Sequence, residues 1–253
     1  MSGPQAVSRL PSVDAAVDVR SRFVHDGFVA SAPWYDRLTR VFSFGLDARW
    51  RRASLERCEL RPGQRLLDVA TGTGELVIAA GRALGGRGVA VGLDFCGEML
   101  DQARRKVASN EKATVAWIQG RAEALPFRAE TFDCVTVGFA LRHANQLSAA
   151  LREIARVLTP GGRFVVLEWT RPEGAFARLL LLAYMRRVVP PLVGLVSRDQ
   201  RVAALAAYLP QSIAAFVSGE ALSRSIQAAG LSPVGRRRYM MGLVSICVGI
   251  KER

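Results

Sequence analysis

Residues 66–76 read LLDVATGTGEL, and the fold turns on this stretch. An apolar run, an acid, two glycines one residue apart and a helix-forming Glu-Leu spell strand, tight turn, helix. Working outward, the same alternation continues downstream. RLLDVA (65–70) is a strand and ELVIAAGRAL (75–84) its helix; GVAVGLD (88–94) is followed by a helix over 98–108. TVAWIQ (114–119), FDCVTVGF (132–139) and RFVVLEWT (163–170) supply three more strands, with a helix at 146–158 before the last. Strands joined by helices of this length pair in parallel with right-handed crossovers. A helix at 221–231 capped by Gly230 precedes two closing strands, 233–240 and 243–250, which form a hairpin around Met241-Gly242. Upstream, helices are predicted at 15–30 and 33–60, after a loose tail over residues 1–13.

The chain has 253 residues, half of them hydrophobic, enough for one large domain over 14–253 with an inserted lid at about 172–218. The first 22 residues hold no apolar signal-peptide core. The most apolar run, LLLLAYMRRVVPPLVGLV (179–196), is interrupted by Arg186, Arg187, Pro190 and Pro191, and is expected to fall short of a membrane span. Cys58, Cys96, Cys134 and Cys247 stand singly, with neither zinc nor disulfide spacing, which fits a reducing cytoplasm. The net charge of +13 has three readings: nucleic acid, an anionic membrane surface, or an arginine-rich composition, lysine being confined to Lys106, Lys112 and Lys251. No interleaving of aromatic and basic residues supports nucleic acid. Charge coincides with apolar sequence over 172–201, which favours peripheral contact with the inner face of a membrane.

The glycine turn selects its ligand partly by exclusion. A triphosphate loop needs a Lys and a hydroxyl residue after its glycines, and Glu75 stands there instead. A dinucleotide turn wants a third glycine where Val77 stands, which weakens that option. S-adenosylmethionine (SAM) carries an ammonium, a carboxylate and a sulfonium but no phosphate, and suits close backbone approach at Gly72 and Gly74. Asp94, ending the second strand, is placed to grip both ribose hydroxyls; Asp68 either holds the turn or faces the ammonium. GRAEALPF (120–127) ends the third strand, and Arg121 and Ala122 there reach the adenine. Ordinary turns, and a loop anchored by Phe127, are the alternatives.

With these residues in place, the chain resembles the C-methyltransferases of ubiquinone and menaquinone biosynthesis over about residues 28–250. The likeness rests on YDRLTRVFSFGLDARW (35–50), LLDVATGTGEL, GLDFCGEML (92–100), AEALPF (122–127), FDCVTVGFALRH (132–143), RVLTPGGRFVVLEWTRP (156–172) and YLPQSIAAF (208–216). The resemblance implies a seven-stranded, Rossmann-like class I methyltransferase sheet with an N-terminal helical cover and an inserted helical lid. It implies SAM contacts from Asp68, Ala70, Gly72, Thr73, Gly74, Asp94, Phe95, Arg121, Ala122 and Gly138. The chain departs from the family pattern at Thr39 (usually Asn), Asp47 (usually His), Arg121 (Asn or Asp), Gly138 (Ser) and Pro210-Gln211 (a Glu). It also has Phe139-Ala140-Leu141-Arg142-His143 where F-G-L-R-N is usual.

The implied reaction moves a methyl group to a ring carbon of a reduced, prenylated quinol. It needs alignment, exclusion of water, a stabiliser for the ring oxyanion and a proton acceptor, but no metal. Arg142 is the candidate stabiliser and His143 the candidate base, standing where the family has an amide. Tyr35 is a further candidate for the acceptor hydroxyl. Against these stand a surface arginine, a packing histidine and an aromatic pair, Trp34-Tyr35, that only packs the N-terminal helix. The lid would receive an isoprenoid tail and meet lipid head groups; otherwise it packs on itself or forms a dimer. The rival functions are methylation of another lipid or secondary metabolite, and a catalytically silent scaffold on the same fold.

Overall fold

The structure, a computed structural model, describes residues 19–107 and 114–252. The expected tail, and the beginning of the helix predicted from residue 15, lie outside them. Three helices come first: α1 (Val19–Ser31), α2 (Tyr35–Phe42) and α3 (Leu46–Arg57). Then β1 (Arg65–Val69), α4 (Glu75–Ala83), β2 (Val89–Asp94), α5 (Gly97–Lys106), β3 (Thr114–Gln119), β4 (Phe132–Gly138), α6 (Leu147–Val157) and β5 (Leu158–Trp169) alternate. Three inserted helices follow, α7 (Ala175–Arg187), α8 (Val189–Val196) and α9 (Gln200–Ala215). The chain closes with α10 (Gly219–Ala228), β6 (Leu231–Tyr239) and β7 (Val244–Lys251).

The seven strands form one sheet in the order β3-β2-β1-β4-β5-β7-β6. β1 pairs in parallel with β2 on one side and with β4 on the other, so the winding direction switches between β1 and β4. A crevice opens at such a switch, outside the strands' carboxyl ends. β7 lies antiparallel to β5 and to β6, as the predicted hairpin requires. Leu66, Leu67, Phe164 and Leu167 in the central strands are fully buried, each contributing about 2 kcal/mol by leaving water.

Three sequence expectations change. The helix predicted over 33–60 is two helices, because Phe44 (φ 51°) and Gly45 (φ 75°) reverse the chain. The Gly45 amide closes the first helix onto the Arg40 carbonyl (2.7 Å), and Ser43 Oγ accepts the Asp47 amide (3.2 Å) to start the next. β5 begins five residues early: Leu158 pairs with Phe132, and an irregularity then resets the register so that Arg163 pairs with Cys134. Finally, Arg178–Val196 is long and apolar enough, by length and composition, to cross a membrane, with a mean hydropathy of 1.6 over an 18-residue window. Its two prolines sit in the first turn of α8, where a missing amide costs nothing, rather than breaking a helix. The run is nonetheless built as two helices meeting at Val188.

α1 and α9 pack together as a roof over the strand ends. They pack closely at Gly27, where an added Cβ would lie 3.0 Å from Leu205 Cβ. Arg20 Nε donates to Tyr208 Oη (3.1 Å), and Phe23 packs edge-on against the Tyr208 ring.

Candidate active site

The two strands flanking the switch end in the same unusual way. Ala70 (φ 55°) follows β1 and Phe139 (φ 60°) follows β4, both left-handed without being glycine. Such strain, about 1–3 kcal/mol each, persists only where the surroundings enforce it, and it clusters at functional sites. Both residues line a cleft at the strand ends, with about 880 Å³ of empty space that includes its opening to solvent.

The candidate cofactor residues divide into those that line this cleft and those that hold it. Ala70, Gly72, Asp94, Phe95, Arg121, Ala122 and Gly138 line it, joined by Phe28, Met99 and Leu141. Asp94 is nearly fully buried; Oδ2 accepts the Gly72 amide (2.7 Å) and Oδ1 the Cys96 amide (2.9 Å). These bonds lock the glycine turn to the end of β2 and hold the carboxylate at the cleft wall. Burial pushes its pKa up to about 6 against the pull of those amides.

Asp68, Thr73 and Gly74 do not line the cleft. Asp68 takes the turn-holding alternative: its oxygens accept from Thr71 Oγ1 and Thr136 Oγ1, both at 2.6 Å. Burial lifts its pKa to about 6 as well, against those two hydrogen bonds. Thr73 turns away and donates to Asp36 Oδ1 on α2 (2.5 Å), while Lys106 bridges Asp36 and Glu75. Gly74 (φ 84°) serves packing: a Cβ there would lie 2.6 Å from the Trp117 ring and 3.0 Å from Ala103 Cβ.

A second cleft, of about 780 Å³, opens beneath the roof and shares Phe28, Tyr35 and Phe139 with the first. Its walls are mainly apolar, with Leu38, Phe42, Met185, Leu205, Leu209 and Ile213 prominent, and Asp47 and Arg142 bring charge to it. The three candidate catalytic residues therefore separate. Tyr35 stands at the partition, its phenol raised above 10 by burial although Arg51 and Arg142 oppose the rise. Arg142 lines the second cleft but is half of a buried ion pair: Nη1 donates to Glu168 Oε1 (2.6 Å) and to the Phe139 carbonyl (2.5 Å). What it can offer an acceptor oxygen is a positioned N–H rather than an unbalanced charge.

His143 lines the first cleft, not the second. Both its ring nitrogens are covered and lack a partner among the described residues. Burial, helped by Arg142 and Arg20, holds its pKa well below 6.5, so the ring is neutral. Each unpartnered buried nitrogen costs about 1–3 kcal/mol until something in the cleft pairs with it.

The sequence reading passed over four contributors. Phe28 and Met99 belong to predicted helices, and only the fold turns them inward. Arg51 stands one residue beyond the quoted N-terminal motif and stacks over the Phe139 ring, its Cζ 5.4 Å from the centroid. Asp47 was visible as a departure from a pattern, but not as a cleft residue.

Comparison with known proteins agrees with this geometry. The model of the ubiE/COQ5 methyltransferase family matches residues 16–251. The chain is 42% identical over 223 residues to a demethylmenaquinone methyltransferase of Thermus thermophilus, covering 88% of this chain and 98% of the relative. It is 33% identical over 229 residues to a ubiquinone/menaquinone biosynthesis C-methyltransferase UbiE of Geotalea daltonii, covering 90% and 96%. Its fold is similar to that of a SAM-dependent methyltransferase from Aquifex aeolicus, with a TM-score of 0.62 at 16% identity over 88% of this chain and 97% of that one. A strained turn locked to a strand-end acid, a second apolar cleft and this run of relatives converge on one statement: the chain belongs to the ubiE/COQ5 methyltransferase family and draws its methyl group from S-adenosylmethionine.

Proposed function

We propose that the first cleft holds SAM and the second holds the ring of a reduced, prenylated quinol, which receives the methyl group on carbon. The shared border at Phe28, Tyr35 and Phe139 carries this reading, because a methyl passing between the two ligands must cross it. Asp94 takes the ribose hydroxyls, Arg121 and Ala122 face the adenine, and Gly72 lets the methionine end lie against backbone. His143 pairs with the bound donor. Once a ring hydroxyl loses its proton, the neighbouring carbon attacks the sulfonium methyl in line and the C–S pair returns to sulfur. The protein's share is to fix the approach and keep water out; an N–H of Arg142 stabilises the ring oxygen. Demethylmenaquinol, a naphthoquinol, is the favoured acceptor, since it corresponds to the name borne by the Thermus relative; a ubiquinone precursor is the competing ring.

The membrane supplies such an acceptor. On α7 and α8, Phe176, Leu179, Leu180 and Leu195 are exposed, as are Arg178 and Arg187 on α7 and Arg198 just after α8. Met185, on the opposite side of α7, lines the second cleft. One helix thus faces both the acceptor's pocket and a surface suited to anionic lipid, consistent with a cytoplasmic enzyme that visits the inner membrane face. Turnover of methyl-deuterated SAM with a panel of reduced demethylated quinols tests the function. A ring-trideuteromethylated naphthoquinol is expected. Transfer to oxygen, or to no quinol, would refute the reading.

A further inference from the structure

Deprotonation of the ring hydroxyl needs a base inside the second cleft, and His143 lies across the partition. We infer that Asp47 is the proton acceptor of methyl transfer. The inference rests on the proposed quinol reading and adds to it a residue that the sequence pattern does not supply.

Asp47 is the only carboxylate among the described residues lining that cleft. The reversal at Phe44-Gly45 aims the first turn of α3 into the cleft, which a continuous helix would not do. Ser43 fixes the side chain: its hydroxyl donates to Asp47 Oδ1 (2.8 Å) while accepting the Asp47 amide. Oδ2 lies 3.8 Å from Arg51 Nε, too far for a hydrogen bond, and that Nε has no other partner. The carboxylate is therefore held, only 13% exposed, with one oxygen still able to accept a proton. The charged and titratable groups around it are Arg51 on α3, Tyr35 on α2 and, after β4, Arg142 with its Glu168 partner on β5.

The step balances with Asp47 as a shuttle. The ring O–H gives its proton to Oδ2 and its electron pair to the ring. The ring carbon bonds the methyl, and the C–S pair goes to sulfur, leaving S-adenosylhomocysteine and a dienone. The dienone loses its ring hydrogen as a proton to solvent water, and its oxygen takes back the proton that Asp47 holds. One proton is released per methyl transferred.

The test compares wild type, Asp47→Asn and Asp47→His with a reduced demethylated naphthoquinol. kcat and KM are measured from pH 5 to 9, and SAM affinity by calorimetry. Asn keeps the shape and the Ser43 hydrogen bond, and unchanged SAM affinity reports an intact fold. The expected result for Asp47→Asn is a kcat about 10²–10³-fold lower, the usual weight of a general base, with KM and SAM affinity within threefold. Its rate should rise with hydroxide, without a plateau. Asp47→His should recover at least tenfold over Asn, with an acid limb that falls inside the measured range, as an imidazole base gives. A kcat loss below tenfold in Asn, a loss carried by KM alone, or an unchanged pH profile would overturn the role of Asp47. Absence of turnover by wild type would instead overturn the acceptor reading, and this inference with it.

Discussion

The two glycines of the turn are assigned different work, and replacing each by alanine separates them. Gly74 has a φ of 84°, and a Cβ there would come 2.6 Å from the Trp117 ring. The ring cannot retreat freely, because it also fills the notch at Gly92, where a Cβ would meet it at 2.8 Å. Forcing alanine into the left-handed region costs about 1–2 kcal/mol, and overpacking adds about 1–3 kcal/mol. Gly74→Ala should therefore lose about 3 kcal/mol, lowering Tm by roughly 6–12 °C for a chain of this size. The folded fraction should bind SAM within about threefold of wild type, since position 74 does not line the cleft. At Gly72 (φ 56°) the nearest neighbour of an added Cβ is the Tyr35 ring at 3.8 Å, so only backbone strain applies, about 1 kcal/mol. That methyl would stand in the cleft, and SAM affinity should fall about tenfold or more, a loss of about 1.4 kcal/mol. Calorimetric titration and thermal unfolding of both variants give the comparison. If Gly74→Ala proved as stable as wild type, or weakened SAM more than Gly72→Ala did, the division of labour would be wrong.

Other outcomes follow from the same geometry. Asp94 titrates near pH 6 in the free protein and grips hydroxyls as the carboxylate, so SAM affinity should fall as pH drops from 7 to 5, by up to about tenfold per unit. A flat profile in wild type, or an equal slope in Asp94→Asn, would contradict this. Asp68, also raised to about 6, binds its proton more tightly folded than unfolded; its contribution is full below about pH 4 and lost as pH rises through 6. The unfolding free energy of wild type relative to Asp68→Asn should therefore decline between pH 4 and 7, by up to about 3 kcal/mol; a rise would refute the assignment. Glu168→Ala strands the buried Arg142 and should cost about 3–5 kcal/mol in denaturant unfolding. Phe176→Ser with Leu179→Ser should weaken flotation with anionic liposomes severalfold while leaving the turnover of a short-tailed soluble acceptor intact.

The sheet was legible because its strands are short apolar runs bounded by glycine, proline or acid, and because the helices between them leave parallel pairing as the economical topology. The glycine turn and Asp94 were legible for the same reason: local sequence sets both the turn and the strand end. Asp68, Thr73 and Gly74 share that stretch, but which side of the turn each one faces depends on Thr136, Asp36 and Trp117, which lie far along the chain. The break between α2 and α3 was hidden because the apolar residues on either side keep a helical spacing through Ser43-Phe44-Gly45. That break is what brings Asp47 to the second cleft. His143 and Arg142 are adjacent in sequence yet line different clefts, because the short helical turn Leu141–His143 points them apart.

The central claim is that the switch-point cleft is a sulfonium-nucleoside site gripped by Asp94. A calorimetric titration of the purified chain with S-adenosylhomocysteine, repeated on Asp94→Ala, tests it most directly. The account predicts one site per chain of micromolar affinity or better, lost by at least tenfold in the variant while the fold is retained. No measurable heat in wild type, or equal binding by the two proteins, would contradict it.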